Sequence, residues 1–335
     1  MYHTPTGGLI PPKPQAAARQ PDDPRFAAAR SMMERLRNRY VKTPRDDEFR
    51  HHLDRLLHRD PNDPTQVCPV TFNSAGDTHG IAVSAAPGGG KTTLVRRGLL
   101  KHPALQPTDA RPLPVLCVRV PSPATLKSLG LEILRATGYP SVSERRERWS
   151  IWSLVMQRLQ LLGTVVLWID EAHDLFESAK RQEMSDMLKT AKSLMQGDSA
   201  VVVVLTGIET LWQAVSSDAQ VQRRFGRILL PEVTAAADGQ RIGALLTSYC
   251  AEAGLVPPTE PDLAARLIHA SRGRFGRCIE GALGAIEIAL RADATKLEID
   301  HFARAFAMQE GCAPAHNVYF ARHWSQIDPD APPKY

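Results

Sequence analysis

Residues 85–92 read A-A-P-G-G-G-K-T, placing bare backbone, one ammonium and one hydroxyl side by side. Consecutive glycines build no core, because glycine loses the most conformational freedom on ordering and has nothing to pack. They do expose N–H groups. With a strand ending near Ser84 and a helix starting near Lys91, the backbone of Ala86, Pro87, Gly88, Gly89 and Gly90 would line a concavity that suits phosphate oxygens. Lys91 would reach the outer phosphates and Thr92, with Thr93 beside it, would offer a hydroxyl to Mg²⁺. The pattern is G-x-x-x-x-G-K-[ST], with Ala85 at the first glycine position.

A second group is T-V-V-L-W-I-D-E-A-H-D-L, residues 164–175. Val165 to Ile169 are apolar on both faces, as a central parallel strand requires. Two carboxylates stand next, at the edge where open α/β sheets bind ligands. Asp170 would hold Mg²⁺, and Glu171 would orient and deprotonate a water for attack on a γ-phosphate. The string D-E-A-H also occurs in helicases, but those need a second RecA-like domain and their own arginine motif. This chain continues into a short helical segment instead, so His173 is expected to be structural or to support the acids.

Two further positions could complete such a site. Thr206 ends the apolar run V-V-V-V-L-T and could hydrogen-bond the attacking water or the γ-phosphate. Arg223 and Arg224, in D-A-Q-V-Q-R-R-F-G-R, stand at a helix end before another strand. An arginine there can stabilise charge on a neighbouring subunit's γ-phosphate.

The elements that must position these groups are legible as an α/β alternation between residues 80 and 234. Strands are expected at 81–84, 115–120, 164–169, 201–206 and 227–230, with amphipathic helices between them, which is the pattern of a parallel sheet. From 235 to 311 the pattern is helical only. Ile242, Leu245, Leu246 and Tyr249 share one face, and Phe302, Ala305 and Phe306 another after an expected Asp300 N-cap. This region would form a small lid. Residues 25–79 read as a helical extension with Phe26, Met33, Leu36, Leu53, Leu56 and Leu57 among many charges. Residues 1–24 carry six prolines and read as a disordered or partner-docked arm, and 312–335 as a tail.

Composition agrees with an intracellular globular protein. The 335 residues are 43% hydrophobic with a formal charge of +5, a mild basic excess compatible with an anionic partner. The cysteines at 68, 117, 250, 278 and 312 show no C-x-x-C spacing, which argues for reduced thiols and against zinc. No apolar run approaches the roughly 18 residues of a membrane span, and the opening M-Y-H-T-P-T-G-G-L-I-P-P-K-P-Q lacks a signal-peptide core. No membrane association is expected.

The succession A-A-P-G-G-G-K-T-T, V-V-L-W-I-D-E-A-H, L-T-G, Q-R-R-F and S-R-G-R-F-G-R-C-I-E-G-A-L resembles an AAA+ ATPase. The resemblance implies a P-loop NTPase fold: a parallel five-stranded sheet flanked by helices, followed by a small α-helical lid. It implies ATP and Mg²⁺ as ligands, Thr206 as sensor 1, Arg223 or Arg224 as the arginine finger, and Arg274 or Arg277 as sensor 2. Within AAA+ the chain is most similar to the TniB/TnsC transposition regulators. The similarity rests on R-L-R-N-R-Y-V-K-T-P-R-D-D-E-F before the core, V-R-V-P-S-P-A-T-L-K-S-L-G-L-E-I-L-R-A-T-G-Y-P after the second strand, and G-R-x-G-R at the start of a lid helix. It spans about residues 30 to 310.

That family implies a bacterial cytoplasmic ATPase of transposons, CRISPR-associated ones among them. It would assemble head to tail as a ring or helical filament on duplex DNA, recruit a transposase and receive its target from a TniQ-type selector. DNA contacts would be sequence-independent, from Thr125, Lys127, Arg145, Arg146 and Arg148 to phosphates. Two other classes share the nucleotide motifs: a helicase-loader or secretion-type motor, and a nucleotide-gated signalling switch. Microscopy with ATP and duplex DNA separates all three.

Overall fold

The computed structural model describes residues 24–59, 66–140, 142–143, 145–177 and 181–331. The expected N-terminal arm, apart from Pro24, and the last four residues of the expected tail lie outside the described residues.

Among the described residues there are seven strands. A short antiparallel pair, β1 (Leu57–Arg59) and β2 (Val67–Pro69), stands apart. The remaining five, β3 (Gly80–Ser84), β4 (Val115–Arg119), β5 (Val166–Asp170), β6 (Val202–Gly207) and β7 (Phe225–Leu229), form one parallel sheet in the order β4-β5-β6-β3-β7. All residues of β3, β5 and β6 are buried, which is why these strands are continuous apolar runs without alternation. Each fully buried Leu, Ile or Val there contributes about 1.5–3 kcal/mol relative to exposure.

The strand order positions the chemistry. β3 lies between β6 and β7, and β5 lies beyond β6, so three C-terminal strand ends adjoin although residues 84, 170 and 207 are far apart in the chain. The crevice above them is where such sheets bind ligands. The helix Lys91–Leu100 packs beneath, its Leu94, Val95 and Leu99 joining Ile81, Val83 and Trp168 in one apolar cluster.

The lid comprises four helices: Ala235–Ala253, Leu263–Ala270, Phe275–Arg291 and Ile299–Glu310. Ile242, Leu245, Leu246, Tyr249 and Phe302 are buried in a shared core. The last helix is capped by Glu298 rather than by the expected Asp300, which lies in its first turn. The His301 ring nitrogen Nδ1 accepts the Glu298 N–H at 3.0 Å and thereby fixes the start two residues earlier.

The described residues of the N-terminal extension join two other cores rather than forming one of their own. Met33 and Leu36 of the helix Pro24–Asn38 enter the lid core, whereas Phe49 and Leu53 of the helix Pro44–Asp54 enter the core below the sheet. Gly98 makes room for this docking, since a Cβ there would lie 2.5 Å from the Phe49 ring. The described part of the expected tail is a strap on the lid. Val318 and Tyr319 are buried in the lid core, and the Arg266 guanidinium donates to the carbonyls of Val318, Tyr319 and Ala321 at 2.7, 3.2 and 3.1 Å. Among the described residues no helix is long and apolar enough to cross a membrane.

Candidate functional site

The loop after β3 takes its shape from glycine. Gly88 and Gly90 have φ of 78° and 92°, in the left-handed region that side chains disfavour, and Gly90 caps the helix Lys91–Leu100. The Gly89 N–H donates to the Ala86 carbonyl at 2.9 Å, and the Ala85 N–H to Gly207 at the end of β6 at 3.2 Å. Free helix N–H groups therefore face the crevice, as anion sites require.

Around this loop the nucleotide motifs converge. Lys91 is 6% exposed, and its Nζ lies 3.7 Å from Glu171 Oε2. The Thr92 hydroxyl donates to the Asp170 carboxylate, 3.1 and 3.2 Å from its two oxygens. Two hard oxygen donors at the cleft edge fit Mg²⁺, which binds few protein oxygens beside substrate phosphates. Bound there, it would neutralise phosphate charge; Thr92 and Asp170 would hold it. Glu171 has φ of 54°, an uncommon backbone for a residue with a Cβ, which re-aims its carboxylate as the strand ends. His173 packs behind it, its Nδ1 3.4 Å from Glu171 Oε2 and its Nε2 3.3 Å from Asp174.

Two cavities flank the loop. One, of about 480 Å³, is lined by Pro87, Gly88, Lys91, Thr92, Arg119 and Glu171 and suits phosphates. The other, of about 530 Å³, is walled by Tyr40, Val41, Leu94, Ile279 and Leu283 and has the apolar lining a nucleoside base needs. Gly90, Thr93, Gly276 and Glu280 line both. The lid helix reaches the loop only because residue 276 is glycine: a Cβ there would lie 2.5 Å from the Gly88 carbonyl oxygen.

Sequence reasoning missed the walls of the base cavity and two arginines. Arg119 ends β4, one strand from Asp170 in register, and opens into the phosphate cleft. Arg45 donates to the Gly89 carbonyl at 3.3 Å and to the Pro231 carbonyl, tying the N-terminal extension to the loop and to the chain after β7. Burial, followed by the neighbouring Arg241, pushes its pKa down. The only prior signal for Arg45 was its place in K-T-P-R-D-D, where Pro44 opens a helix.

The remaining expected residues divide. Thr206 is fully buried; its hydroxyl donates to Asp170 and accepts the Trp168 indole N–H, so it does not line the phosphate cleft. Arg224 is buried and its Nη2 donates to Asp77 Oδ2 at 2.5 Å. The Asn73 and Gln196 side-chain amides, and then Arg224, hold the Asp77 carboxyl below its ordinary range. Arg223 is exposed at the end of the short helix Ala219–Gln222. Arg277 lies against the loop, its Cγ 3.0 Å from where a Gly88 Cβ would be, whereas Arg274 opens into a different cavity beside Trp324.

Of the expected DNA residues, Thr125 caps the helix Leu126–Ala136 by accepting the Ser128 N–H at 3.0 Å. Lys127 is next and half-buried, and Arg145 and Arg146 are exposed. Arg148 is paired with Asp186 at 2.9 Å. The Trp152 indole donates to the Leu126 carbonyl at 3.2 Å, so the N-terminal turns of Leu126–Ala136 and Arg148–Leu161 lie alongside and bring these residues to one end.

Solved structures share this architecture. A Pyrobaculum aerophilum Cdc6p is similar with a TM-score of 0.56 and 18% identity, covering 82% of this chain and 69% of that one. The Aeropyrum pernix ORC2 protein, solved in ADPNP–ADP complexes, gives 0.55 and 16% over the same shares. The Aeropyrum pernix ORC1 protein in complex with DNA gives 0.51 and 17%, covering 69% of this chain and 60% of that one. No curated protein matches the sequence at a significant level. A family model described as bacterial TniB protein matches residues 36–235, from the end of the first helix through every nucleotide motif of the sheet. With the loop, the paired acids and the parallel sheet all inside that match, the chain belongs to the TniB family and is an AAA+ ATPase.

Proposed function

We propose that this protein is an ATP-dependent regulator of DNA transposition that assembles on duplex DNA in the bacterial cytoplasm and links a TniQ-type target selector to a transposase. Membership of the TniB family supports the transposition role. Exposed Arg145 and Arg146 beside Thr125 and Lys127 support sequence-independent contact with DNA phosphates.

In this reading Lys91 and the loop amides bind the β- and γ-phosphates of ATP, and Thr92 and Asp170 hold Mg²⁺. Phosphate would displace Glu171 from Lys91, leaving its carboxylate to orient the attacking water and take its proton. Thr206 acts on the site by orienting Asp170, and Arg277 is the lid arginine that meets the γ-phosphate.

The observation that carries assembly is the position of Arg223. It precedes β7, whose Phe225 pairs with Gly80, the first residue of β3, whereas the phosphate loop comes after the last. A five-residue strand, about 16 Å, separates it from the cleft of its own chain. An exposed arginine so placed completes a site only in a neighbouring copy, and contacts of this head-to-tail kind build rings or helices. Electron microscopy with ATP and duplex DNA tests the reading. ATP-dependent rings or filaments on DNA are expected; a protein that stays monomeric with both ligands overturns it.

A further inference from the structure

Arg277 touches the phosphate loop through its aliphatic stem, but its head is turned elsewhere. It lines a small cavity inside the lid with Phe302, Phe306, Glu310 and Tyr319 and is absent from the lining of the phosphate cleft. Its Nη1 is buried without a hydrogen-bond partner, 4.0 Å from Glu310 Oε1. A guanidinium nitrogen left in that state costs free energy that a phosphate oxygen would recover.

Glu310 is itself held. It is the last residue of the helix Ile299–Glu310, where a carboxylate opposes the helix dipole and is locally unfavourable. Arg272 offsets this with a bidentate pair, Nη1 to Oε1 at 3.1 Å and Nη2 to Oε2 at 3.0 Å. The same guanidinium donates through Nε to Asp330 Oδ1 at 2.6 Å and through Nη2 to the Pro329 carbonyl. Arg272 has a φ of 56° in the turn before the lid helix, so the backbone there is set to aim this side chain. A continuous chain of polar contacts thus runs from the C-terminal strap through Arg272 and Glu310 to Arg277.

We propose that Glu310, aligned by Arg272, holds the Arg277 head inside the lid and out of the phosphate cleft, and that the strap around Pro329 and Asp330 sets this hold. Glu310 and Arg272 are positioning residues: neither lines the phosphate cleft. ATP recruits Arg277 only by drawing it from Glu310, so the resting chain discriminates less between ATP and ADP than its residues allow. Whatever displaces the strap raises that discrimination.

The inference rests on Arg277 as the arginine that meets the γ-phosphate, and the test separates the two. Dissociation constants for a non-hydrolysable ATP analogue and for ADP are measured on the full chain by fluorescence. Glu310→Gln is expected to tighten the analogue several-fold with ADP unchanged, and Asp330→Asn, at an exposed carboxylate, to act in the same direction more weakly. Arg277→Ala is expected to weaken the analogue and to abolish any effect of Glu310→Gln placed upon it. An analogue affinity in Arg277→Ala equal to wild type overturns the role of Arg277. A weakened Arg277→Ala with an unchanged or reduced ATP-to-ADP preference in Glu310→Gln overturns the latch alone. An unchanged preference in Asp330→Asn overturns the part assigned to the strap. Because the Glu310→Gln and Asp330→Asn readouts are ratios of affinities on folded protein, a loss of stability in either variant leaves them intact.

Discussion

Thr206 donates its hydroxyl hydrogen to Asp170 and accepts the Trp168 indole N–H at 3.0 Å, which commits its one donor inside the sheet. A residue expected at the γ-phosphate instead orients the carboxylate that would hold Mg²⁺. Thr206→Val should therefore lower stability by about 1–3 kcal/mol, the cost of leaving buried polar partners unmatched. It should also weaken nucleotide binding more with Mg²⁺ than without. Urea denaturation together with binding titrations in Mg²⁺ and in EDTA checks both; a loss of affinity with unchanged stability would restore the direct phosphate contact.

Lys91 is buried between the loop and Glu171, so its ammonium is a fixed cation at the phosphate end of the cleft. Lys91→Ala should abolish binding of both ATP and ADP in equilibrium titration. Wild-type affinity would refute the phosphate site.

Glu171→Gln keeps the shape of the side chain but removes the charge facing Lys91 and, with it, the proposed base. ATP binding should persist or tighten while steady-state phosphate release falls by at least about a hundredfold, the low end for loss of a general base. ATP-dependent assemblies on DNA should then last longer under the microscope. Unchanged turnover would move the base to another residue.

The neighbours Arg223 and Arg224 should behave oppositely. Arg224→Ala breaks a buried ion pair with Asp77 and should lower the melting temperature markedly, with loss of activity accompanying the loss of fold. Arg223→Ala should melt as wild type and bind ATP, yet lose hydrolysis and ATP-dependent multimerisation. Mixing it with Lys91→Ala should recover part of the turnover, because one interface then joins an intact loop to an intact Arg223. Co-assembly without any recovery would eliminate action in trans.

Lys127, Arg145 and Arg146 are expected to contact phosphates alone. Neutralising any one should weaken duplex binding uniformly across sequences and reduce the slope of log affinity against log salt by about one. An unchanged slope, measured by anisotropy over a salt series, would place the DNA elsewhere. Arg148→Ala should have a smaller effect, since Asp186 already pairs with it.

What the sequence determined by itself is whatever lies close along the chain. The run A-A-P-G-G-G-K-T dictates its own loop, because missing side chains, left-handed glycines and a helix start act within eight residues. The five apolar residues before Asp170 likewise announce a central strand ending in two acids, and the positions of all five sheet strands were legible to within about two residues. Partnerships across the fold were not. Asp77 lies 147 residues from Arg224, and only the parallel pairing of β3 with β7 brings them together to bury one of two identical side chains and expose the other. Which of Arg274 and Arg277 lies against the loop depended on which turn of a lid helix meets Gly88, and that on the absence of a Cβ at Gly276. Val318 and Tyr319 lie in the segment that reads as a tail, and are core only because the lid leaves a hydrophobic face for them to cover. Backbone conformation is a local property, set by sterics between adjacent residues. The direction of a long side chain is set by the charge or cavity it meets, and for these residues tertiary packing alone supplied that neighbour.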